Sequence, residues 1–474
     1  MQHAPQDSRM ALIKGTICVA LPVLIYLTPV PDGLTPAAWQ MFAVYMFAVL
    51  GIILRPVAEA VVLITALAFT ALVLGQTKTA LHAFGDSTPW LVFTAFIIGQ
   101  CFIETGLGTR IAHFMIRRFG KTSLRLGYVA MLTDLILAPA TPSNTARTGG
   151  LVSPIYFSLS NALGSTPNEN PRRIGGFLSL LMYQNSLISA TLFLTAGAIY
   201  PMMIKMNADL TGAKIDWSQW TMAMSVPGLI CLAIVPYIVY KMYPPELKHI
   251  DEQMLVDSGT GKLGAMSGRE KTLAVLFVLA IVGWATSSIT KIDTVAVAFG
   301  VLSLALLTNV ISWDKVLQCK SAWSTFIWYA GIIALADGLN KEGFFKWLGV
   351  IFQNNLDFSG LNTGFVLSAL ILITVVVRYF FASTIAFVVT FMPVIFTLGA
   401  AMKLPAIPLL LLCAASAQIA SLQTHYGNAV GPVLFGTGYV DRGTWWKVGH
   451  VVCYFSMAVF LVVGLSWWKV IGIW

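Results

Sequence analysis

The chain has 474 residues and a formal net charge of +9, and 57% of its residues are hydrophobic while only 10% are charged. A soluble protein of this size has about 25% charged residues, so the composition excludes an ordinary soluble domain. Apolar windows of about 20 residues, which can cross a bilayer core of about 30 Å, recur along the whole sequence. We therefore predict an all-α polytopic membrane protein. Its positive charge is explained by membrane topology and indicates no nucleic-acid partner.

The N-terminal segment MQHAPQDSRMALIK leads directly into the first apolar run. It has neither the pattern of a cleavable signal peptide nor the Ser- and Arg-rich composition of a transit peptide. We therefore expect an uncleaved first span in a bacterial inner membrane. The six cysteines have no CxxC or metal-ligand spacing, so we expect free thiols and neither a metal nor a cofactor.

The apolar runs predict eleven membrane spans, which lie in chain order at 12–30, 37–54, 58–76, 88–108, 175–204, 223–242, 272–289, 293–312, 320–340, 405–438 and 447–468. Two further apolar stretches, 124–162 and 364–402, are interrupted by polar residues at their middles. A chain that enters the membrane and returns to the same side would have this pattern. We therefore predict two re-entrant hairpins at these positions.

The distribution of Lys and Arg supports this topology. With the N-terminus in the cytoplasm and each hairpin returning to its own side, 19 of the 29 Lys and Arg residues fall in cytoplasmic segments. Eight fall outside and two fall within the hairpins. This asymmetry follows the positive-inside rule. Treating either hairpin as a full span would place strongly basic loops outside, so we predict a cytoplasmic N-terminus and a C-terminus outside.

The chain after its N-terminal span (1–36) is predicted to contain two similar halves. A cytoplasmic linker at 243–270 separates the half at 37–242 from the half at 271–474. Each half has two spans, a Trp-led span, a hairpin, a long polar-interrupted span and a final span. Because five spans separate equivalent elements, the two halves have opposite orientations. Inverted repeats with broken helices are typical of secondary transporters, which bind substrate near the membrane midplane.

The middle of the first hairpin is the polar segment PATPSNTARTGG, at 139–150. Ser143, Asn144 and Thr145 offer polar side chains, and Arg147 follows with a charge that could bind a carboxylate bidentately. Non-helical backbone at this depth is tolerated where it is covered by protein or lines a watery cavity. Two interpretations are open: an anion site, or a structural pair between Arg147 and Asp134 with the neighbouring polar side chains capping helices.

The second hairpin has a related tip, FASTIAFVVT, which supplies Ser383 and Thr384 with Arg378 five residues upstream of Ser383. Arg378 could act in the site or could pair with an acid or extend to the interface, and the sequence does not decide between these roles.

A third polar cluster, QTHYGN, interrupts the predicted span at 405–438. A glycine with polar neighbours indicates unwound backbone opposite the hairpin tips. The candidate site residues of this cluster are Thr424, His425, Gly427 and Asn428. A lone histidine is usually structural, but its place beside an unwound segment favours a role in the site.

Together, PATPSNTARTGG, FASTIAFVVTFMPV and THYGNAVGPVLFGTGYV resemble motifs of the divalent-anion:sodium symporter family. The resemblance covers nearly the whole chain and is strongest to the citrate/succinate antiporters and plastid 2-oxoglutarate/malate translocators. It implies eleven spans with two hairpins, a homodimer, elevator-type alternating access, and di- or tricarboxylate substrates. By motif, it assigns the substrate carboxylates to Ser143, Asn144 and Thr145 in the first tip and to Ser383 in the second.

The second tip departs from the family pattern, because Ser383-Thr384-Ile385 lacks the asparagine that helps to hold sodium in sodium-coupled members. We hypothesise that Arg147 and a protonated His425 replace sodium as fixed cations. An empty carrier would then be charged and could not easily return, since uncompensated charge at membrane depth is costly. This hypothesis predicts sodium-independent exchange of anions such as 2-oxoglutarate, malate, succinate or citrate.

Three other functions are alternatives to anion exchange. A sodium-coupled dicarboxylate symporter is the nearest alternative. A membrane-embedded enzyme would need a nucleophile–base pair, paired carboxylates or a metal cluster, whereas Glu104 and Asp337 are expected to pair with nearby Lys or Arg. A channel fits less well, because two inverted tips without a ring of like charge are typical of alternating access.

Overall fold

The computed structural model describes residues 8–250, 264–355, 360 and 362–474. The central part of the predicted 243–270 linker and the first seven residues of the predicted N-terminal segment lie outside these described residues. Within them every regular element is a helix, apart from one isolated antiparallel bridge between Thr122 and His249. This agrees with the all-α prediction.

The described residues 8–250 contain eleven α-helices, which span Ser8–Leu27 (α1), Pro36–Leu54 (α2), Glu59–Leu72 (α3), Thr77–Leu81 (α4), Ser87–Thr105 (α5), Leu107–Phe119 (α6), Ser123–Leu137 (α7), Ser153–Ala162 (α8), Gly175–Leu192 (α9), Ile199–Thr211 (α10) and Trp217–Met242 (α11). Short non-α helices extend or interrupt them at His82–Gly85, Ala138–Ala140, Thr145–Val152 and Leu194–Ala196.

The described residues from 264 onward have α-helices that span Gly268–Ala285 (α12), Ser287–Thr290 (α13), Thr294–Leu307 (α14), Trp313–Gln318 (α15), Lys320–Lys341 (α16), Phe344–Asn355 (α17), Thr363–Arg378 (α18), Thr384–Ala401 (α19), Ala406–Ile419 (α20), Val430–Phe435 (α21), Arg442–Val459 (α22) and Leu465–Val470 (α23). Non-α helical turns occur at Ala420–Gln423 and Phe460–Gly464.

Eight helical segments among the described residues are long and apolar enough to cross a membrane, and four shorter helices are apolar. The eight include α2, α5, α11, α16 and α19. The structure therefore has the helix lengths of a polytopic membrane protein, while the count of eleven spans stays a prediction.

Each predicted hairpin is a helix–break–helix segment. In the first, α7 and α8 lie side by side, with Thr133 Oγ1 of α7 3.2 Å from Tyr156 Oη of α8. In the second, α18 and α19 are joined by the turn at 379–383. Both arms of the first hairpin pack against α9, and both arms of the second pack against α20. The two polar tips are thereby placed beside the two central helices.

The helices α9 and α20 form the centre of the molecule and contact each other. Every residue of α9 is buried, including Gln184, Ser186 and Ser189, as expected of a helix that is surrounded by protein. Each of these helices ends in broken backbone, at 193–198 after α9 and at 424–429 after α20. The polar residues of α9 are therefore helical, and the break in that predicted span follows them.

The two halves are tied together near one end of the bundle by Arg110 of α6. Its guanidinium donates to both carboxylate oxygens of Glu270 in the first turn of α12, at 2.7 and 3.2 Å. Glu270 also accepts a hydrogen bond from the backbone N–H of Ser267, which caps α12. One carboxylate thus completes a capping box and a bidentate ion pair.

We expect Glu270→Ala to lower the thermal stability of the detergent-solubilised protein, because it removes both the cap and the ion pair. Caps contribute about 0.5–2 kcal/mol. Glu270→Gln keeps the capping geometry and should lose less stability. Equal shifts of the two melting temperatures would contradict the capping contribution.

Candidate functional site

The two hairpin tips and the unwound segment after α20 face one cavity of about 620 Å³. Six of the predicted site residues line it: Ser143, Asn144, Thr145, Ser383, Thr384 and Asn428. The lining also includes Arg55, which follows α2, Glu59 at the start of α3, and Ser321 and Trp328 of α16. This volume is within the usual range for small-molecule sites.

The first tip is organised by Arg147, whose side chain is almost completely buried. Its Nε donates to Asp134 Oδ1 at 3.1 Å, and its Nη1 donates to the Thr141 carbonyl at 2.9 Å. Its Nη2 donates to Asn144 Oδ1 at 3.2 Å and to Ser186 O and Ser189 Oγ of α9. All three nitrogens therefore point into protein, and Arg147 does not line the cavity.

Asn144 connects this buried arginine to the cavity. Because Arg147 binds its amide oxygen, the amide nitrogen is turned away from the guanidinium. That Nδ2 has no hydrogen-bond partner among the described residues, although Asn144 is only 7% exposed. A carboxylate in the cavity is the kind of acceptor that such a free donor needs.

The second tip is organised in the same way by Arg378, which is equally buried. Its Nη2 donates to Thr384 Oγ1 at 2.9 Å, to Ser421 Oγ at 2.7 Å and to the Gly427 carbonyl. Nε donates to the Ala417 carbonyl at 3.1 Å, and Nη1 donates to the Phe381 carbonyl. Arg378, like Arg147, stands behind the cavity wall.

Thr384 is the counterpart of Asn144. Its hydroxyl oxygen accepts hydrogen bonds from Arg378 and, at 3.1 Å, from the Asn428 amide. A hydroxyl has two acceptor lone pairs and one donor, so both acceptor positions are used. Its proton is left for a ligand in the cavity that Thr384 lines.

Ser143 and Ser383 also correspond. Each hydroxyl oxygen accepts a 3.3 Å hydrogen bond from the backbone N–H three residues later, so both serines cap the returning helices. Capping and ligand binding are compatible here, because a capping hydroxyl accepts a bond and keeps its own proton.

The two arginines differ in charge compensation. Arg147 forms a buried ion pair with Asp134, which also accepts hydrogen bonds from Thr148 and Ser189. The structural pairing considered from the sequence is therefore present. Among the described residues, no carboxylate lies within 4 Å of Arg378. The first tip is thus neutral overall, and the second carries a full positive charge.

His425 faces away from the cavity. Its Nδ1 accepts a 3.0 Å hydrogen bond from the indole N–H of Trp446, and its ring packs against Phe435. An indole N–H can only donate, so Nδ1 carries no proton in this arrangement. The geometry favours a neutral imidazole and places the uncompensated positive charge on Arg378.

Thr424 and Gly427 shape the backbone behind the cavity rather than line it. The Thr424 carbonyl accepts a hydrogen bond from Tyr183 of α9 at 2.9 Å. At Gly427, an added Cβ would lie 2.5 Å from the Ser421 carbonyl oxygen. Only glycine therefore allows the close approach that brings the Gly427 carbonyl to Arg378.

The sequence pointed to Arg378 but did not separate its structural and functional roles. It did not point to Arg55, Glu59 or Trp328. Arg55 and Glu59 lie next to a predicted span boundary, where charge is common, so no local signal distinguishes them.

A family model described as the sodium:sulfate symporter transmembrane region matches residues 9–474. The chain belongs to this divalent-anion:sodium symporter family. The match confirms the resemblance seen in the hairpin motifs, and it makes the protein a membrane transporter rather than an enzyme.

Several relatives match over nearly the full length. The inner membrane protein YbhI of Escherichia coli K12 is 40% identical, covering 98% of this chain and 99% of its own. The putative malate transporter YflS of Bacillus subtilis is 37% identical, covering 100% and 99%. An L-tartrate/succinate antiporter of Escherichia coli O157:H7 is 33% identical, covering 96% and 97%.

The solved structure of Neisseria gonorrhoeae MtrF, described as illuminating a class of antimetabolite efflux pumps, aligns with a TM-score of 0.60. It covers 98% of this chain and 96% of its own at 12% identity, so the likeness concerns the fold alone.

We expect Asn144→Asp to weaken dicarboxylate binding by about tenfold or more. The change keeps the oxygen that Arg147 binds but replaces the free N–H donor by a second acceptor, and a charge-assisted hydrogen bond is worth about 1.5–3 kcal/mol. Calorimetric titration of the purified protein with succinate tests this. Asn161→Asp, in α8 outside the cavity lining, is the matched control; wild-type affinity in Asn144→Asp would contradict the role of the amide.

Proposed function

We propose that the protein exchanges di- or tricarboxylate anions across a bacterial inner membrane. The observation that carries this proposal is the matched pair of tips, in which a buried arginine binds the acceptor atom of Asn144 or Thr384. The donor of the same side chain is left for the cavity. Two donors on opposing tips suit a molecule with two carboxylates. The relatives named for malate and for tartrate/succinate support this substrate class, and YbhI supports the location.

Arg378 is the basis for antiport. Its charge is permanent, and the described residues place no acid beside it. An empty carrier would have to move this charge through a region of low dielectric, which is costly. A bound anion offsets the charge and lowers the cost. Movement is then much easier with substrate bound, which is the condition for exchange.

The same arginine is the basis for sodium independence. Sodium in transporters is coordinated by oxygens of unwound backbone and side chains. At the second tip, the oxygens of Thr384, Ser421 and Gly427 are already bound by the Arg378 guanidinium. A sodium ion there would compete for these oxygens and would be repelled by the arginine. Arg378 is therefore the fixed cation in this mechanism, in place of Arg147, which Asp134 neutralises, and of His425, whose Nδ1 accepts a hydrogen bond.

Alternating access of the elevator type is supported by the two ends of α16. Ser321, near its start, lines the cavity, and Arg55 beside it reaches solvent. Asp337 lies 16 residues further along, which is about 24 Å in a helix. There, Lys205 of α10 lies 3.1 Å from Asp337 and 3.7 Å from Asp86, and His82 lies 2.8 Å from Asp337. The bundle is thus open at one end and held by an ion cluster at the other.

In this proposal α10 moves with the hairpins, because it packs on α19 and α20, whereas Asp337 belongs to α16, which packs on α2, α3 and α5. The predicted topology makes the open end cytoplasmic. The homodimer implied by the family resemblance would supply a fixed frame for the movement.

The deciding experiment is uptake of labelled succinate into proteoliposomes, with or without internal succinate and in sodium or choline buffer. We expect uptake only into loaded vesicles and at equal rates in both buffers. Uptake into empty vesicles driven by a sodium gradient would instead indicate the sodium-coupled symporter.

Replacing Arg378 by Gln should reduce exchange by about tenfold or more, since it removes charged hydrogen bonds worth about 1.5–3 kcal/mol each. Arg117→Gln, on the exposed surface of α6, is the matched control. Unchanged exchange in correctly folded Arg378→Gln would remove the fixed cation from the mechanism.

We expect Lys205→Met to weaken closure at the Asp337 end and to favour the state open to that side. A cysteine placed at Ala382, which lines the cavity, can report this through a membrane-impermeant maleimide applied from either side. The variant should label more slowly than wild type from the Arg55 end and faster from the other. Lys214→Met, exposed and without an ion-pair partner among the described residues, is the control. Identical labelling in both variants would contradict the closing role of Lys205.

A further inference from the structure

Outside the two tips, the described lining of the cavity contains a single pair of opposite charges. Among the cavity-lining residues that the structure describes, Arg55 is the only Lys or Arg and Glu59 is the only acid. Arg55 Nη2 lies 2.8 Å from Glu59 Oε1, and the two side chains are 55% and 20% exposed. The pair is therefore accessible both to solvent and to a ligand in the cavity.

The local backbone holds Arg55 in this place. It ends α2 in the left-handed conformation, with φ 48° and ψ 55°, and its N–H donates to the Gly51 carbonyl. This conformation disfavours residues other than glycine and is often found at functional sites. Pro56 follows, and α3 begins at Glu59, so the non-helical residues 56–58 separate the two charged residues and bring their side chains together.

The two buried arginines do not offer their donors to a ligand. Each nitrogen of Arg147 and of Arg378 is bound to a protein oxygen, and neither residue lines the cavity. They act on a ligand through Asn144 and Thr384 and through their electric field. Direct contact between a cation and a ligand carboxylate is therefore available only at Arg55, within the described lining.

We propose that Arg55 is a specificity-determining residue that binds the substrate carboxylate facing the open end of the cavity. Glu59 occupies its guanidinium in the absence of substrate, so one carboxylate is exchanged for another on binding. Exposed ion pairs are weak, so this exchange has little cost. The inference rests on the proposed transport of carboxylates and adds to it a residue that contacts them.

Two consequences follow from the position of Arg55. Arg55 and Glu59 lie at the ends of α2 and α3, which pack on α16, although α2 also contacts α19 of the second hairpin. Under the proposed alternating access, a substrate reaches Arg55 only when the cavity is open to this end. Arg55 should therefore raise the apparent affinity on one face of the membrane only. The increase in apparent affinity should be largest for a tricarboxylate, because two of its carboxylates can occupy the tips while the third faces Arg55.

The test is citrate exchange in vesicles of both orientations. Arg55→Gln should raise the apparent KM for citrate at the Arg55 face by about 2- to 5-fold, the size expected of a half-exposed ion pair. The maximal rate and the KM at the opposite face should stay as in wild type, and the KM for succinate should change less. Glu59→Gln, which frees Arg55, should lower the KM for citrate at the same face. Arg118→Gln, exposed and outside the lining, is the control.

Equal KM changes at both faces, or none at either face in a variant with wild-type thermal stability, would overturn the assignment. Calorimetric binding of citrate and succinate to the solubilised protein separates this result from failure of the proposed function. If the wild type binds neither anion, the carboxylate function fails. If the wild type binds and exchanges citrate while Arg55→Gln matches it at both faces, only the role of Arg55 fails.

Discussion

Two permanent charges are buried where the helices of this protein break, and most of the site geometry follows from how the chain satisfies them. A guanidinium keeps its proton in a protein, so Arg147 and Arg378 bring five donors each into the buried interior of the protein. Regular helices offer few free carbonyl groups, because each is used within the helix. The carbonyls of Thr141, Phe381 and Gly427 can accept from these arginines because the backbone at those residues is not α-helical. The carbonyls of Ser186 and Ala417, within α9 and α20, also accept from these arginines, so the breaks supply part of the oxygens that the buried charges need.

The two tips use this arrangement with different electrostatic results. At the first, Asp134 neutralises Arg147, so the tip contributes an oriented donor without net charge. At the second, polar oxygens surround Arg378 without neutralising it. A buried ion pair adds little to stability compared with apolar packing. The ion pair orients Asn144, whose oxygen accepts from Arg147 and whose amide nitrogen has no partner among the described residues, whereas Arg378 keeps its charge uncompensated there.

The central helices α9 and α20 connect the two tips with the unwound segment that follows α20. Ser186 and Ser189 of α9 reach Arg147, whereas Ala417 of α20 reaches Arg378. Tyr183 of α9 also binds the unwound segment after α20. Each tip is thus hydrogen-bonded to the central helix against which its own hairpin packs, and α9 and α20 contact each other. The two tips are therefore connected through packed helices rather than through flexible loops.

The sequence by itself determined the helical class, the polar tips and the family, and it predicted the two hairpins, because these depend on local hydrophobicity, on Pro and Gly, and on short motifs. It also placed Ser143, Asn144, Thr145, Ser383, Thr384 and Asn428 among the candidates, and all six line the cavity. Only the tertiary structure decided which arginine keeps its charge, since that depends on whether an acid from another element lies beside it. The tertiary structure also decided the place of His425, which accepts a hydrogen bond from Trp446 and does not line the cavity. It likewise brought Arg55 into the same cavity as the two tips, which are about 90 and 330 residues away from it in the chain. Charge compensation and cavity lining are properties of contacts between distant segments, and no local pattern in the chain encodes them.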